Sequence, residues 1–190
     1  IRDSPEAEVA RLVATAPSMD DLSFSPGRVA SRNPAVRLDL GGYAKGYALD
    51  RAAALLRQAG VKNALINIGG NILALGTKGE RPWRVGIQHP RRGGALATLD
   101  LHDGEAIGTS GDYQRFFELG GRRYCHLIDP RTGRPVQGVQ AVTVIARGAQ
   151  AGVASDVASK PLFIAGPTGW RAMAARLGVT EALLIDADGS

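Results

Sequence analysis

A glycine-rich turn carrying one lysine leads into a helical pattern, and this corner limits the possible folds of the chain more than any other stretch. The run from Asp39 to Asp50 reads DLGGYAKGYALD, with three glycines and Lys45. Apolar or small residues then recur at the three-and-four spacing of one helix face, which predicts a helix over 44–59 with Gly60 as its C-cap. A glycine turn at a helix start offers unpaired N–H groups and the positive end of the dipole. The corner therefore predicts an anion-binding turn, with an ordinary turn and a solvated lysine as the alternative.

The spacing of this corner differs from the common nucleotide motifs. A P-loop lysine is followed by Ser or Thr, whereas Gly46 follows Lys45. The dinucleotide fingerprint needs G-x-G-x-x-G directly after a strand, and these glycines do not fit it. The motif alone therefore assigns neither nucleotide-binding fold.

Composition indicates one globular domain spanning 1–190. Its 44% hydrophobic and 22% charged residues are typical of soluble proteins, and the single cysteine excludes a disulfide framework and a multi-cysteine metal site. The net charge of +5 permits an anionic partner, but the cations form no block. Their densest cluster, near Arg91 and Arg92, brackets a predicted hairpin and lacks interleaved aromatic residues. We therefore expect no nucleic-acid binding.

The hydrophobic periodicity predicts an α+β fold with a largely antiparallel sheet. Helices are predicted over 4–15 (with Ser4 as N-cap), 44–59, 149–163 and 168–177, and Pro161 is expected to break or bend the third. Residues 18–35 are predicted to be loop, apart from a short strand near Leu22–Phe24. Strands are predicted over 64–68 (continued past a bend by 72–75), 83–88, 95–101, 115–119, 123–128, 140–146 and 181–185.

Among the polar residues, His126 is the best candidate for proton transfer. It lies at the end of a predicted strand, just before an Asp-Pro turn, and an ordinary imidazole pKa of about 6.5 suits a general base. The residues alone leave open a half-buried histidine bonded to a backbone carbonyl. Ser110, His126 and Asp129 do not indicate a serine hydrolase, because no G-x-S-x-G elbow is present.

Three further groups have both a binding and a structural interpretation. Thr109–Tyr113 offers small hydroxyls beside a glycine, suited to a planar ligand or its phosphates, or a plain polar turn. Asn67 and Asn71 flank Gly69-Gly70 and can bond a heterocycle edge or cap strand ends. Tyr43 can stack on a ring or belong to the core.

Four separated blocks, in this order, resemble the ApbE-like FAD:protein FMN transferases. They are Asp39–Asp50, Asn67–Asn71, Thr109–Tyr113 and Tyr124–Gly133. The resemblance covers about Val36 to the C-terminus and matches 1–35 poorly, so part of the usual N-terminal region of the family domain is expected to be missing. It implies a tunnelling-fold-like arrangement in which helices cover one face of the sheet.

The resemblance also implies an activity and a setting. Members of the family move FMN from FAD to a Thr or Ser hydroxyl of an acceptor flavoprotein and release AMP, with Mg²⁺ as the metal. The acceptor is expected to be a flavoprotein subunit of a bacterial redox complex. The expected location is the bacterial cell envelope or periplasm, with membrane association through the missing N-terminal segment.

Residue roles follow from the same resemblance. His126 is expected to deprotonate the acceptor hydroxyl, while the carbonyl of Ala44 and the carboxylate of Asp156 are expected to bind metal. The expected FAD-binding residues are Tyr43, Lys45, Gly70, Asn71, Thr109, Ser110, Gly111, Asp112 and Lys160.

Lys160 departs from the family pattern, which has a threonine metal ligand at this position. An ammonium cannot ligate a cation, and a Lys four residues after an Asp on a helix makes a favourable ion pair. We therefore expect weak or absent Mg²⁺ binding at Asp156, with the phosphates met by Lys45 and Lys160. Two alternatives stay open, namely a flavin-binding module without transfer activity and a piece of a longer chain that cannot bind flavin unaided.

Overall fold

The computed structural model describes residues 6–190 and has a five-stranded central sheet in which every neighbouring pair is antiparallel. In spatial order the strands are β13 (Glu181–Asp186), β12 (Val139–Ala146), β7 (Ala106–Gly111), β4 (Asn71–Leu75) and β3 (Ala64–Ile68). Four hairpins surround it, β1–β2 (Leu22–Ser25, Arg28–Ser31), β5–β6 (Trp83–Gln88, Ala95–Leu101), β8–β9 (Phe116–Leu119, Arg122–Cys125) and β10–β11 (Ile128–Asp129, Arg134–Pro135).

Two long helices pack on one face of the sheet. They are α2 (Ala44–Gln58), over β3 and β4, and α3 (Ala151–Leu177), over β7, β12 and β13. Helix α1 (Glu6–Ala14) begins the described part, so the predicted cap at Ser4 lies outside the described residues. Helix α2 matches its predicted extent, and Gly60 follows it with φ +81°. The α+β prediction, with helices on one sheet face, is confirmed.

The β5–β6 hairpin covers the opposite face. Its residues Val85 and Leu101 pack with Ala74 and Ile107 of the sheet, and all four are buried. The middle of the sheet is therefore covered on both faces, which explains why the first six residues of β12 are buried in succession and do not alternate.

Two strand predictions are wrong in topology. Residues 28–31, predicted as loop, form β2 and pair with β1. Residues 72–75 were predicted to continue the preceding strand past a bend, but β4 reverses and pairs antiparallel with β3. Gly69 and Gly70 make the turn with φ +57° and +90°, and two successive positive φ values are what a tight hairpin turn requires.

The segment 109–111, predicted to be a loop, is the end of the central strand β7. Small residues are needed here because α3 packs directly on the strand. A Cβ at Gly108 would lie 2.4 Å from the backbone of Ser155, well inside contact distance. The small-residue composition therefore reflects the close approach of a helix.

Helix α3 runs through Pro161 and is interrupted later, at Gly166, where φ is 71° and ψ is −177°. The helix is not broken at Pro161, so that part of the prediction is wrong, whereas the second helix does begin near 168, after Pro167. Glycine adopts this backbone conformation without steric cost, and the proline that follows is accepted at a first helical position. In the part of the chain that the structure describes, no helix is long and apolar enough to cross a membrane.

Candidate active site

The candidate site is built on the crossing of α2 and α3 near their first turns. A Cβ at Gly46 would lie 2.3 Å from the carbonyl oxygen of Gly152, and a Cβ at Gly152 would lie 2.5 Å from that of Gly46. Both distances are far below contact distance, so only glycine fits at either position. The two helix starts can therefore approach backbone to backbone.

Each helix supplies a carboxylate to the first turn of the other. Asp50 of α2 accepts hydrogen bonds from the amides of Gly152 (2.8 Å) and Val153 (2.9 Å) of α3. In return, Asp156 of α3 accepts a bond from the amide of Gly46 of α2 (2.9 Å). These amides have no acceptor within their own helix, and a carboxylate also interacts favourably with the positive end of the dipole.

Asp156 lies at the bottom of the site with its side chain fully buried. One carboxylate oxygen receives the Gly46 amide, while the other contacts the ammonium of Lys160 and lies 3.5 Å from that of Lys45. Burial by itself would raise the pKa of Asp156, but the Lys160 ammonium and the Gly46 amide stabilise the carboxylate and lower its pKa overall. The buried acid is therefore ionised and held by two lysines.

Lys160 is positioned by three contacts. Its ammonium donates to the Asp156 carboxylate and, at 2.7 Å, to the Asp156 carbonyl oxygen. Its alkyl chain packs on the glycine turn, where a Cβ at Gly42 would lie 3.3 Å from Cε of Lys160. Burial lowers the pKa of Lys160, the Asp156 carboxylate opposes that change, and the nearby Lys45 adds to it.

A cavity of about 360 Å³ opens above this buried pair. The glycine–lysine corner, the end of β7 and the histidine predicted to be a base all line it. The lining residues predicted from sequence are Gly41, Gly42, Lys45, Thr109, Ser110, Gly111, His126 and Lys160. Three motifs that are far apart in the sequence therefore meet at one hollow, directly over Asp156.

His126 is exposed on the cavity wall and is bonded to a backbone carbonyl, while its role as a base stays a prediction. Its Nδ1 lies 3.2 Å from the carbonyl oxygen of Arg115. A carbonyl can only accept, so Nδ1 carries the proton and the neutral ring keeps a lone pair on Nε2. This tautomer is the one that a general base acting through Nε2 needs.

The hydroxyls at the end of β7 are already bonded within the protein. Ser110 pairs with Ser159 of α3 (2.8 Å), and Thr109 pairs with Thr143 of β12 on the other face (3.0 Å). The ring of Tyr113 folds back over Gly111, where a Cβ would lie 2.2 Å from a ring carbon. The strand end therefore contributes a tightly packed wall to the cavity.

Several predicted ligand residues lie away from the cavity. Tyr43 stacks on Tyr47, with 5.7 Å between ring centroids, and lines a separate groove along α3. Asp112 makes a bidentate ion pair with Arg91 (2.7 and 2.6 Å). Arg91 lies in the turn of the β5–β6 hairpin, so the ion pair anchors that turn. The predicted cavity-facing roles of Tyr43 and Asp112 therefore do not agree with their positions. Ala44 opens α2 and is not on the cavity wall.

The predicted pair Gly70 and Asn71 lies on the far side of the corner. Gly70 lines a smaller hollow of about 190 Å³, which adjoins the main cavity and shares Gly69, Thr109, Tyr113 and Gln114 with it. The side chain of Asn71 is buried near Asp156, whose pKa it helps to lower, but neither amide atom makes a hydrogen bond within normal limits among residues 6–190. Asn71 therefore supports the floor of the site from below.

Sequence reasoning missed Asp39, Gln114 and Arg115 on the cavity wall, together with the two capping contacts of Asp50. The sequence did contain a signal for Arg115, because this cationic residue follows shortly after the Thr109–Tyr113 block. With Lys45 and Lys160 it makes a third positive side chain on the cavity wall. The role of Asp50 gave no local signal, because its partners are 102 and 103 residues away.

The residues present do not fit a divalent cation at Asp156. Within the described part of the chain, no group of three or more His, Cys, Asp or Glu side chains is placed to hold a metal ion. Mg²⁺ requires several oxygen ligands, whereas the single carboxylate here already contacts two ammonium groups and an amide. Lys160, at the sequence position where the resemblance implies a metal ligand, contacts this carboxylate through its ammonium group.

Comparison with known proteins identifies close relatives. The sequence profile of the ApbE family matches residues 2–184, a range that includes residues 2–35, which the four motifs do not cover. A FAD:protein FMN transferase of Rhodobacter capsulatus is 48% identical over 185 residues, 97% of this chain and 35% of that protein. The enzyme of the same name from Escherichia coli K12 is 39% identical over 138 residues, 70% of this chain and 38% of that protein.

Solved structures show the same fold. The ApbE protein of Thermotoga maritima superposes with a TM-score of 0.88 at 32% identity, over 100% of this chain and 62% of that one. The apo flavinyl transferase ApbE of Pseudomonas stutzeri gives a TM-score of 0.82 at 33% identity, over 99% of this chain and 57% of that one. This chain thus spans less than two thirds of each of these relatives.

Proposed function

We propose that this chain, which belongs to the ApbE family, carries the site of a FAD:protein FMN transferase. FMN would pass from FAD to a Thr or Ser hydroxyl of an acceptor flavoprotein, with AMP released. The observation that carries this proposal is the meeting of Lys45, Lys160 and His126 on one cavity. Anion-binding groups and a base are the two functions that this transfer needs.

The lysine side of the cavity suits a pyrophosphate. The glycine turn and the start of α2 present the positive end of a helix dipole, and the two ammonium groups lie within reach of the same buried carboxylate. Fixed donors aimed at an anion also stabilise charge that develops on it during transfer, without reorganisation. We assign Lys45 and Lys160 this role.

His126 would then act on the acceptor. The acceptor hydroxyl oxygen attacks the phosphorus of the FMN half, the bond from that phosphorus to the AMP oxygen breaks, and the hydroxyl proton moves to Nε2 of His126. The hydrogen bond from Nδ1 to Arg115 leaves Nε2 free to accept it. A positioned base of this kind typically contributes about 10²–10⁴-fold to the rate.

The alternative of a flavin-binding module without transfer activity is not favoured. Its support in the sequence is the lysine at 160 together with the short segment before the Asp39–Asp50 block, but the relatives are named transferases, and His126 lines the cavity as a transferase base should.

The setting is also a proposal. We place the acceptor among flavoprotein subunits of bacterial redox complexes, and the protein in the cell envelope or periplasm, with membrane association through sequence outside this chain. This rests on the resemblance of the four sequence blocks. Fractionation of the source cells, followed by detection of the protein with an antibody, tests the location.

The direct test is incubation with FAD and a threonine-containing acceptor domain from a flavinylated redox subunit, followed by intact-mass spectrometry. An acceptor heavier by one FMN, together with AMP in the supernatant, is expected. An unmodified acceptor, although FAD binds to the chain, would contradict the proposed transfer. Replacing the acceptor threonine with alanine is the control, and it should leave the acceptor unmodified.

A further inference from the structure

Each oxygen of Asp156 already accepts from a donor of this chain. One carboxylate oxygen accepts from the amide of Gly46 (2.9 Å), and the other contacts the ammonium of Lys160. The main-chain carbonyl accepts from Lys160 (2.7 Å) and from the hydroxyl of Ser159 (2.9 Å). The oxygen atoms that could serve a cation are therefore already bonded.

We propose that the ammonium of Lys160 replaces a divalent cation in this site, so that pyrophosphate binding needs no metal at Asp156. The proposal rests on the proposed function, because it takes FAD as the ligand. The resemblance implied a metal ion bound by Asp156 and its neighbours, and the proposal differs from this because of the contacts that Lys160 makes in this chain.

The local charges argue against a second cation. The single carboxylate of Asp156 lies beside two positive side chains, since Lys45 is 3.5 Å away and Lys160 is in direct contact. A Mg²⁺ ion at the carboxylate would have to displace Lys160 and then remain next to Lys45. Magnesium also needs near-octahedral oxygen ligands, which an ammonium, having no lone pair, cannot supply.

The two ammonium groups retain donors for an anion. Each has three N–H bonds. Lys160 uses two of them, on the carboxylate and the carbonyl of Asp156. Lys45 lies 3.4 Å from the carbonyl of Gly41 and 3.5 Å from the Asp156 carboxylate. Both side chains line the cavity, so each can give its remaining donor to a phosphate oxygen.

The stem of Lys160 is held as firmly as its head. It packs against Gly42 of the glycine turn, and 20% of the side chain is exposed. A fixed ammonium can stabilise developing negative charge as a cation does, but it cannot be removed by a chelator. The nucleotide affinity of this chain should therefore be insensitive to EDTA.

The test measures FAD binding by flavin fluorescence quenching, with EDTA or with Mg²⁺ in the buffer. Wild-type affinity should agree within about twofold between the two buffers. The variant K160T introduces the hydroxyl of the family pattern. Its FAD affinity in EDTA should fall about tenfold or more, because one charge-assisted hydrogen bond is lost. Addition of Mg²⁺ should restore this affinity. K160M removes the charge without offering a ligand, so its affinity should fall in both buffers. K78T, at an exposed lysine, is the matched control and should behave as wild type.

The outcomes separate the two proposals. If wild-type chain binds FAD only in the presence of Mg²⁺, the inference about Lys160 is overturned while the proposed function stands. If FAD binds in neither buffer, the proposed function fails. The inference about Lys160 is then decided by titrating the chain with Mn²⁺ alone and following the free ion by electron paramagnetic resonance. Wild type should leave Mn²⁺ free, and K160T should bind it. Mn²⁺ binding by wild type that D156N abolishes, or no gain in K160T, counts against the inference.

Discussion

The main-chain amide of Gly46 donates a hydrogen bond of 2.9 Å to the buried carboxylate of Asp156. This bond joins the first turn of α2 to the second turn of α3. The bond forms because Gly46 lies against Gly152 with no side chain between the two backbones. The position of the acid beneath the cavity therefore depends on a glycine of the other helix.

Replacing Gly46 with alanine tests this packing in a way that separates it from helix propensity. Alanine in a helix interior is favoured over glycine by about 1 kcal/mol, so propensity alone predicts a gain in stability. The new Cβ would lie 2.3 Å from the Gly152 carbonyl oxygen, so we expect a net loss of about 2 kcal/mol in the free energy of unfolding. Urea denaturation measures the difference.

The matched control is Gly169→Ala, a helical glycine of α3. Its nearest neighbour is the side chain of Ala165 at 3.4 Å, an ordinary contact distance. This variant should gain stability by up to about 1 kcal/mol. A similar gain in G46A would mean that the helices do not cross as closely as described.

Substitution of Asp50 should weaken the start of α3. D50A removes the acceptor for the amides of Gly152 and Val153, and loss of such a cap typically costs about 0.5–2 kcal/mol. Because α3 carries Asp156 and Lys160, FAD affinity should fall as well. Thermal unfolding and fluorescence quenching measure the two effects, and D100A, at an acid on β6 that is mostly exposed, should change neither appreciably.

His126→Ala should separate chemistry from binding. The rate of FMN transfer to the acceptor should fall by about 10²–10⁴-fold, because the hydroxyl loses its base, while FAD affinity should change little. Single-turnover mass spectrometry and fluorescence quenching give the two values. His102, an exposed histidine outside the cavity, supplies the control H102Q, which should transfer at the wild-type rate. Equal rates in H126A and wild type would remove His126 from the mechanism.

Stability at acid pH should depend on Glu105. Burial raises the pKa of this carboxyl, but hydrogen bonds from the His102 amide (2.8 Å) and Arg147 (2.6 Å) outweigh burial, so its folded-state pKa is lowered. A lowered pKa stabilises the fold above the unfolded-state value of about 4.3, and the contribution is lost as pH falls through the folded-state value. The stability advantage of wild type over E105Q should therefore be full at pH 7 and shrink below about pH 4. Urea denaturation at several pH values tests this, and an advantage that grows on acidification would contradict it.

Periodicity predicted the elements whose sequences carry their own pattern. Helix α2 and the β5–β6 hairpin were predicted correctly, because a helical stripe and a strand alternation are local properties. The end of β7 was predicted as loop, since Thr109, Ser110 and Gly111 show neither pattern. Ser110 bonds Ser159 of α3 and Thr109 bonds Thr143 of β12, and contacts with distant elements leave no periodic signal.

The site could be predicted in its members but not in its connections. Two of the four sequence blocks indicated Lys45 and His126, and the family pattern on the C-terminal helix indicated Lys160; the structure brings all three to one cavity. The sequence could not show that Tyr43 turns toward Tyr47 or that Asp112 binds Arg91, because these choices depend on which partner the fold brings within reach. The length of α3 past Pro161 is likewise decided by packing against the sheet.

The exchange of carboxylates between α2 and α3 also makes the two helix starts one cooperative unit. If the first turn of either helix opened, a buried carboxylate and the amides of residues 46, 152 and 153 would lose their hydrogen-bond partners together. The free energy needed to open one helix start is therefore that of opening both. These amides should exchange their hydrogens with solvent at similar slow rates, and a nucleotide bound between the lysines should slow all three at once.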